Sequence, residues 1–292
     1  MLLNSIPEMG CLTPGPNVYR QYIDPQYPLL WPTMDKLLRG LNSVFPPQYP
    51  FHMGGDEVDR NAWATCSSVI AWGAANGCPA GDLANCITDW WYTKNYQLLA
   101  SPPYSRQVWA WEDITDGVNA TTWPGATTGN LVVIQWNGDP GVWQSDTCSI
   151  ASATNATVLV AGPFHDVIGS PPSFNSHPEQ NYADLLNVSC PLTDRLLQQI
   201  VGPELMWWDD AADISASDTI LMLMSSLLPV AESGWSQQAV VASGAISTLR
   251  YQHTRCRLAR RGFTSHDAYG FTGTFCPGGE YEATLQPWEE AS

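Results

Sequence analysis

Apolar residues recur at helical spacing from Pro28 to Phe45. Leu30, Met34, Leu37, Leu38, Leu41 and Val44 follow a 3.6-residue repeat, and Pro46-Pro47 ends it. The pattern then changes to a repeating unit: a short apolar run, an aromatic or acidic residue at its end, and a helix-length segment. The runs are Tyr49–Met53 ending in Gly54-Gly-Asp-Glu, Gln107–Ala110 ending in Trp111-Glu-Asp, and Leu131–Gln135 ending in Trp136. Thr157–Ala161 ending in Asp166 and Ile200–Met206 ending in Trp208-Asp-Asp complete the series. Residues 62–76, 88–99 and 141–153 read as crossover helices, and 218–228 and 239–261 as two more after the last run. Strands that alternate with helices predict an α/β fold with a parallel sheet. Residues 1–26 read as loop, 167–191 as an insertion over the sheet, and 262–292 as an irregular tail. No linker interrupts the rhythm, so a single domain over 1–292 is expected.

Composition narrows the class. A chain of 292 residues has the size of one α/β barrel, roughly 250 residues before insertions. Charged residues make up 14% of it, against about 25% in ordinary soluble domains. Twelve basic residues against 28 acidic ones leave a net charge of −16, which argues against nucleic acid or an anionic membrane as partner. A content of 44% hydrophobic residues with 14 Trp is a packing composition rather than a disordered one.

The 8 cysteines include no Cys-x-x-Cys pair, which fits disulfides better than zinc or thioredoxin-like chemistry. Sequons at Asn119, Asn155 and Asn187 point to the same oxidising, secretory route. Yet Met1-Leu-Leu-Asn-Ser-Ile-Pro has neither the basic start nor the apolar stretch of a signal peptide. A natural leader is therefore expected to lie outside this sequence.

The polar and aromatic residues stand where the runs end, and in a (β/α) barrel that face carries the active site. Trp111, Trp136 and Trp208 hold equivalent places after three of the runs. Sugars present apolar C–H faces that stack on such rings, so these positions suggest a carbohydrate pocket. The sharpest signal is His52-Met-Gly-Gly-Asp-Glu-Val58. Two glycines let the chain turn sharply and present Asp56 and Glu57 together at a strand end. Adjacent carboxyl groups can divide acid and base work between them. Diguanylate cyclases use similar letters in a Gly-Gly-(Asp/Glu)-Glu-Phe hairpin, but here Val58 replaces the Phe and a His precedes.

In its context the motif resembles the His-x-Gly-Gly-Asp-Glu hallmark of the β-N-acetylhexosaminidases of glycoside hydrolase family 20, of the eukaryotic lysosomal and secreted type. The resemblance runs from about Cys11 to Cys276. Phe45-Pro, the segment Val108–Asp116 and the strand ending at Trp136 are similar to family segments. So are Gly202-Pro-Glu-Leu-Met-Trp-Trp-Asp-Asp210, Ala231-Glu-Ser-Gly-Trp-Ser236 and Arg255-Cys-Arg-Leu-Ala-Arg-Arg-Gly262.

The resemblance implies a TIM (β/α)8 barrel of which this sequence carries about the last five βα units, strands 4–8. Strands one to three, the smaller domain before them and a substrate-gripping Arg would lie outside it. The implied reaction is retaining, substrate-assisted hydrolysis of terminal β-linked GlcNAc or GalNAc from glycoconjugates or chitin oligosaccharides. Glu57 would be the acid and then the base, and Asp56 would orient the 2-acetamido group. Trp111, Trp136 and Trp208 would wall the pocket, Asp166 and Asp210 would hold polar groups, and His52 would support the loop. Two positions depart from the family: Phe164 stands where a Tyr donates to the acetamido oxygen, and Asp210 where a longer Glu grips hydroxyls. They keep a second expectation open, a sugar-binding relic that has lost turnover. The resemblance pairs Cys256 with Cys276 and Cys11 with Cys66, which leaves Cys78–Cys86 and Cys148–Cys190. It implies no cofactor and no metal, a lysosomal or secreted location, no nucleic-acid or membrane partner, and a homodimer as an open question.

Overall fold

The computed structural model describes residues 6–11, 23–116, 123–136, 143–160, 167–168, 194–203 and 207–208, with Ala231 and Arg257. The chain divides into two compact units, Met1–Ile134 with Ile150–Val158, and Gln135–Ser149 with Leu159–Ser292.

The first unit opens with a short 3-10 turn, Pro7–Met9, and helix α1, Leu30–Val44. Strand β1, Phe51–His52, leads into α2, Arg60–Ala64, α3, Ser67–Ala75, and the long α4, Leu83–Ala100. Strand β2, Val108–Trp111, is followed by α5, Asp113–Asp116, and α6, Pro124–Thr128. Strand β3, Leu131–Gln135, α7, Trp143–Ala153, and β4, Thr157–Val160, come next in the chain, and the division between the two units falls within each of them. The strands are hydrogen-bonded in the order β1-β2-β3-β4. Phe51 faces Val108 in a parallel pair, and Val108 faces Leu131 in the next. The expected parallel α/β sheet is present.

Every residue of β3 is buried, as in a parallel strand covered on both faces. In β2 Val108 and Ala110 are buried while Trp109 and Trp111 are half-exposed. Helix α4 packs on β2 and buries Ile87, Tyr92, Tyr96 and Leu99.

Arg106 anchors the end where the strands begin. It is buried and donates to Tyr49 O at 2.8 Å, to Asn42 Oδ1 at 2.7 Å and to Phe45 O. Its own carbonyl accepts from Asn130 Nδ2 at 3.0 Å. Its guanidinium thus ties the end of α1 to the approach to β1, and its carbonyl joins the start of β2 to that of β3. Arg106→Met is expected to lower stability by about 2–3 kcal/mol, because charged hydrogen bonds are lost and their acceptors stay behind. An unfolding free energy in urea that falls by less than about 0.5 kcal/mol at constant slope would contradict this.

Two differences from the sequence reading concern the helices. The single crossover helix expected over 62–76 is broken into α2 and α3 at Cys66, whose backbone is extended at φ −74° and ψ 125°. That residue is drawn aside by its disulfide to Cys11, with 5.7 Å between the Cα atoms. A second disulfide, Cys78–Cys86, closes the turn between α3 and α4, and Cys148 is also disulfide-bonded. Around Cys11–Cys66, Trp63, Val69 and Ile87 form a buried cluster with Trp72, Trp90 and Trp91 packed against it. Trp31 meets Trp91 at 5.3 Å and Trp90 at 5.8 Å, so these tryptophans build the core rather than a pocket. The second difference is in α1, where Leu30 and Leu38 are buried but Leu37, Leu41 and Val44 are exposed.

In the second unit α8, Asp194–Gln199, runs directly into β6, Ile200–Pro203. Strand β5, Val167–Ile168, pairs in parallel with β7, Trp207–Trp208. Of the single strand expected over 200–206, Ile200–Pro203 is strand β6, and residues 204–206 lie outside the described residues. The expected insertion over 167–191 begins with a strand instead. The helices expected at 218–228 and 239–261 lie outside the described residues, Arg257 apart. Among the described residues no helix is long and apolar enough to cross a membrane.

Candidate functional site

Beyond His52 the chain keeps to β2 for a few residues. Met53 N donates to Trp109 O at 2.8 Å, and Trp111 N donates to Gly54 O at 3.1 Å. Glu112 N donates to Ile134 O at 3.0 Å, so the C-terminal ends of β1, β2 and β3 lie side by side. Loops at such ends are where parallel α/β folds assemble their sites.

The loop itself needs its glycines. Gly54 has φ +73° and Gly55 φ +108°, conformations costly to any residue with a Cβ. At Gly55 a Cβ would make only ordinary 3.7 Å contacts with Ile114 and the Tyr92 ring, so the backbone angle and not lack of room calls for glycine. Asp56 follows, half-buried, and then Glu57, exposed. Glu57 has φ +51° without being glycine, a strain of roughly 1–2 kcal/mol that neighbours must offset.

Three side chains hold the turn. Tyr92 OH donates to Gly55 O at 2.9 Å. The Glu57 N–H donates to Asp113 Oδ1 at 3.3 Å. Arg60 donates to Asp113 O at 3.1 Å and to Asp116 O at 3.0 Å. Immediately after the turn, Asp59 caps α2 by accepting from Ala62 N at 3.1 Å. Burial raises the Tyr92 phenol to about 12; Arg60 opposes that, and Asp113, Asp56 and Asp116 add to it. Tyr92 therefore stays a neutral donor across the whole working range of pH.

His52 serves the same loop. Its Nδ1 accepts the Gly54 N–H at 3.1 Å, which fixes the neutral tautomer with its proton on Nε2. Its ring lies 4.6 Å from the ring of Trp111, tilted by 57°. Desolvation lowers its pKa from 6.5, with Asp56 opposing. Between the lowered value and 6.5 the unfolded chain binds more protons than the native one, so stability rises with pH there. The contribution is fully present above 6.5 and is lost as pH falls through that window. His52→Asn keeps an acceptor but cannot titrate. Its urea midpoint is expected to drop less than the wild type's between pH 7 and pH 5, and equal drops would contradict this.

The structure thus brings together four of the residues singled out from the sequence: His52, Asp56, Glu57 and Trp111. Trp136 follows β3 and is half-buried, and Trp208 lies in β7. Phe164, Asp166 and Asp210 lie outside the described residues, as do Cys190, Cys256, Cys276, Asn119 and Asn187. Asn155 is exposed and donates from Nδ2 to Thr127 O at 3.0 Å. Cys11, Asp24 and Cys66 cluster closely enough to suggest a metal site, but both sulfurs are committed to the disulfide.

Sequence reasoning missed Tyr92, Arg60 and Asp113. Tyr92 falls on the apolar repeat of α4, and Arg60 reads as an ordinary first-turn residue. Asp113 directly follows Trp111-Glu112 and was the most findable, as an acid in the loop beside the motif.

Residues 11–238 match the model of the family described as glycosyl hydrolase family 20, catalytic domain. The beta-hexosaminidase subunit beta of Sus scrofa is 25% identical over 242 residues, covering 82% of this chain and 41% of that protein. Its Rattus norvegicus counterpart is 22% identical over 251 residues, covering 86% and 42%. The chain spans about two fifths of the length of these curated relatives. Among solved structures, a chitobiase of Flavobacterium johnsoniae superposes with a TM-score of 0.61 at 16% identity, over 90% of this chain and 38% of that one. An exo-β-N-acetylglucosaminidase of Vibrio harveyi, in complex with N-acetylglucosamine, gives 0.52 at 15% identity, over 86% and 40%. At these identities the two structures speak for the fold.

Proposed function

The chain belongs to glycosyl hydrolase family 20, and on that premise we propose that it removes terminal β-linked N-acetylhexosamine by retaining, substrate-assisted hydrolysis. The observation that carries the reading is the adjacent pair Asp56–Glu57, set at the C-terminal end of β1 by a glycine turn and flanked by the His52–Trp111 ring pair.

Glu57, exposed at the turn, protonates the glycosidic oxygen as the bond to C1 breaks. The acetamido carbonyl oxygen of the substrate attacks C1 and forms a bicyclic oxazolinium ion. Asp56, the more buried of the two, orients the acetamido N–H and balances the positive charge that grows on the ring. Glu57, now ionised, takes a proton from water as it attacks C1, and the second displacement restores the original configuration. Trp111, with Trp136 and Trp208, stacks on the sugar and the acetamido methyl; Asp166 and Asp210 grip hydroxyls, and Phe164 adds an apolar ring. His52 holds the loop and the Trp111 ring rather than the sugar.

In this reading the sheet belongs to a (β/α)8 barrel and carries its last five units. The exposed Leu37, Leu41 and Val44 of α1 support further βα units packing beside that helix, since a helix face that apolar is ordinarily covered. Two disulfides support a lysosomal or secreted setting. The substrate class is GlcNAc or GalNAc at the non-reducing end of glycoconjugates or chitin oligosaccharides.

The test is release of the chromophore from an aryl N-acetyl-β-glucosaminide by the whole chain. Phe164 and Asp210, where the family has Tyr and Glu, favour a second reading, a sugar-binding relic. Calorimetric binding of N-acetylglucosamine by a folded chain that releases no chromophore would favour the relic over the enzyme.

A further inference from the structure

We propose that Asp113 is the positioning residue of Glu57: its carboxylate accepts the Glu57 amide proton, holds that backbone in the left-handed region and so aims the Glu57 carboxyl. The proposal rests on the acid–base role given to Glu57 above and deepens it.

The contact is one half of a reciprocal grip. From the β1 side, Glu57 N reaches Asp113 Oδ1 at 3.3 Å. From three residues further along, at the start of α2, Arg60 reaches back to Asp113 O at 3.1 Å and Asp116 O at 3.0 Å. Asp113 is thereby held by its backbone while its side chain holds Glu57. Tyr92 fixes the preceding peptide through Gly55 O at 2.9 Å, so the turn is pinned on both sides of Asp56. Glu57 is the only residue of Met53–Val58 other than glycine with positive φ. Releasing its amide removes the contact that compensates for this, and the backbone is free to relax toward negative φ. That rotation swings the Cα–Cβ bond and carries the carboxyl away from where Asp56 and Trp111 frame a sugar. A role confined to stabilising α5, which Asp113 begins, would predict lost stability with the rate of the folded fraction unchanged.

The experiment compares Asp113→Ala and Asp113→Asn with the wild-type chain on an aryl N-acetyl-β-glucosaminide, with the amide hydrogen exchange of Glu57 followed by NMR. Asn keeps an oxygen at the same reach. D113A is expected to lose about 10²-fold in kcat with KM changed less than about threefold. D113N is expected to stay within about fivefold of wild type in kcat. Exchange at Glu57 should accelerate by about tenfold or more in D113A and little in D113N. Unchanged kcat and exchange in D113A, or a D113N as impaired as D113A, would overturn the proposal. If D113A does not fold, Arg60→Gln replaces it, with about tenfold losses expected in kcat and exchange protection; no change in either overturns the proposal. A wild-type chain without turnover would defeat the acid–base reading instead. Exchange alone then decides whether Asp113 holds Glu57: protection that depends on Asp113 upholds the grip, and protection indifferent to it overturns it.

Discussion

Glu57→Gln is expected to lower kcat on N-acetylhexosaminides by about 10²–10⁴-fold, the usual contribution of a positioned acid and base. Gln is nearly isosteric and keeps the backbone N–H that donates to Asp113, so the turn should survive and the loss should be chemical. Its size depends on the leaving group. A nitrophenolate leaves with little protonation, whereas a sugar hydroxyl needs the proton nearly in full, so the loss should grow from an activated aryl glycoside to a disaccharide. Kinetics across a series of aryl leaving groups provide the check. A loss that stays flat across the series, or a rate kept within about threefold of wild type, would remove Glu57 from the acid role.

Asp56→Asn is expected to cost about 10²–10³-fold in kcat, with a smaller change in KM. The neutral side chain can still accept a hydrogen bond from the acetamido group, so ground-state binding is largely kept. The missing charge matters only when positive charge develops on the substrate. Because that occurs whatever group is leaving, the D56N loss should vary much less along the same aryl series than the E57Q loss. The two adjacent carboxylates therefore carry different kinetic signatures. Parallel dependence on the leaving group in both variants would show that the division of labour is wrong.

The strongly periodic and the strongly constrained parts of the chain were legible from sequence. Leu131–Gln135, apolar on both faces, is β3 residue for residue. Helix α1 came out within two residues at its start because the apolar repeat and Pro46-Pro47 mark its bounds. Strand β1 is shorter than its apolar run, Phe51–His52 against Tyr49–Met53. Pro50 has no N–H to pair, and the turn at Gly54 begins immediately after.

The break between α2 and α3 was hidden because it comes from a disulfide to a residue 55 positions away, which no local pattern reports. In α1 the periodicity gave the apolar stripe but not which half of it finds a partner. At the site, the glycines announced the turn and the carboxylates announced the chemistry. The residues that hold them stayed hidden: Tyr92 and Asp113 act through single hydrogen bonds to the backbone of a loop 37 and 56 residues away. Side-chain-to-backbone contacts of that range place no demand on the sequence of the loop they hold.

The most direct test compares turnover of an aryl N-acetyl-β-glucosaminide with that of the aryl β-glucoside, which differs only in carrying a hydroxyl for the acetamido group. Substrate assistance places the nucleophile in that group. The account therefore predicts turnover of the first, loss of that turnover in Glu57→Gln, and a kcat/KM for the second at least about 10³-fold lower, as intramolecular attack is lost. Comparable turnover of the two glycosides would contradict it, because the carboxylates would then be acting without the acetamido group.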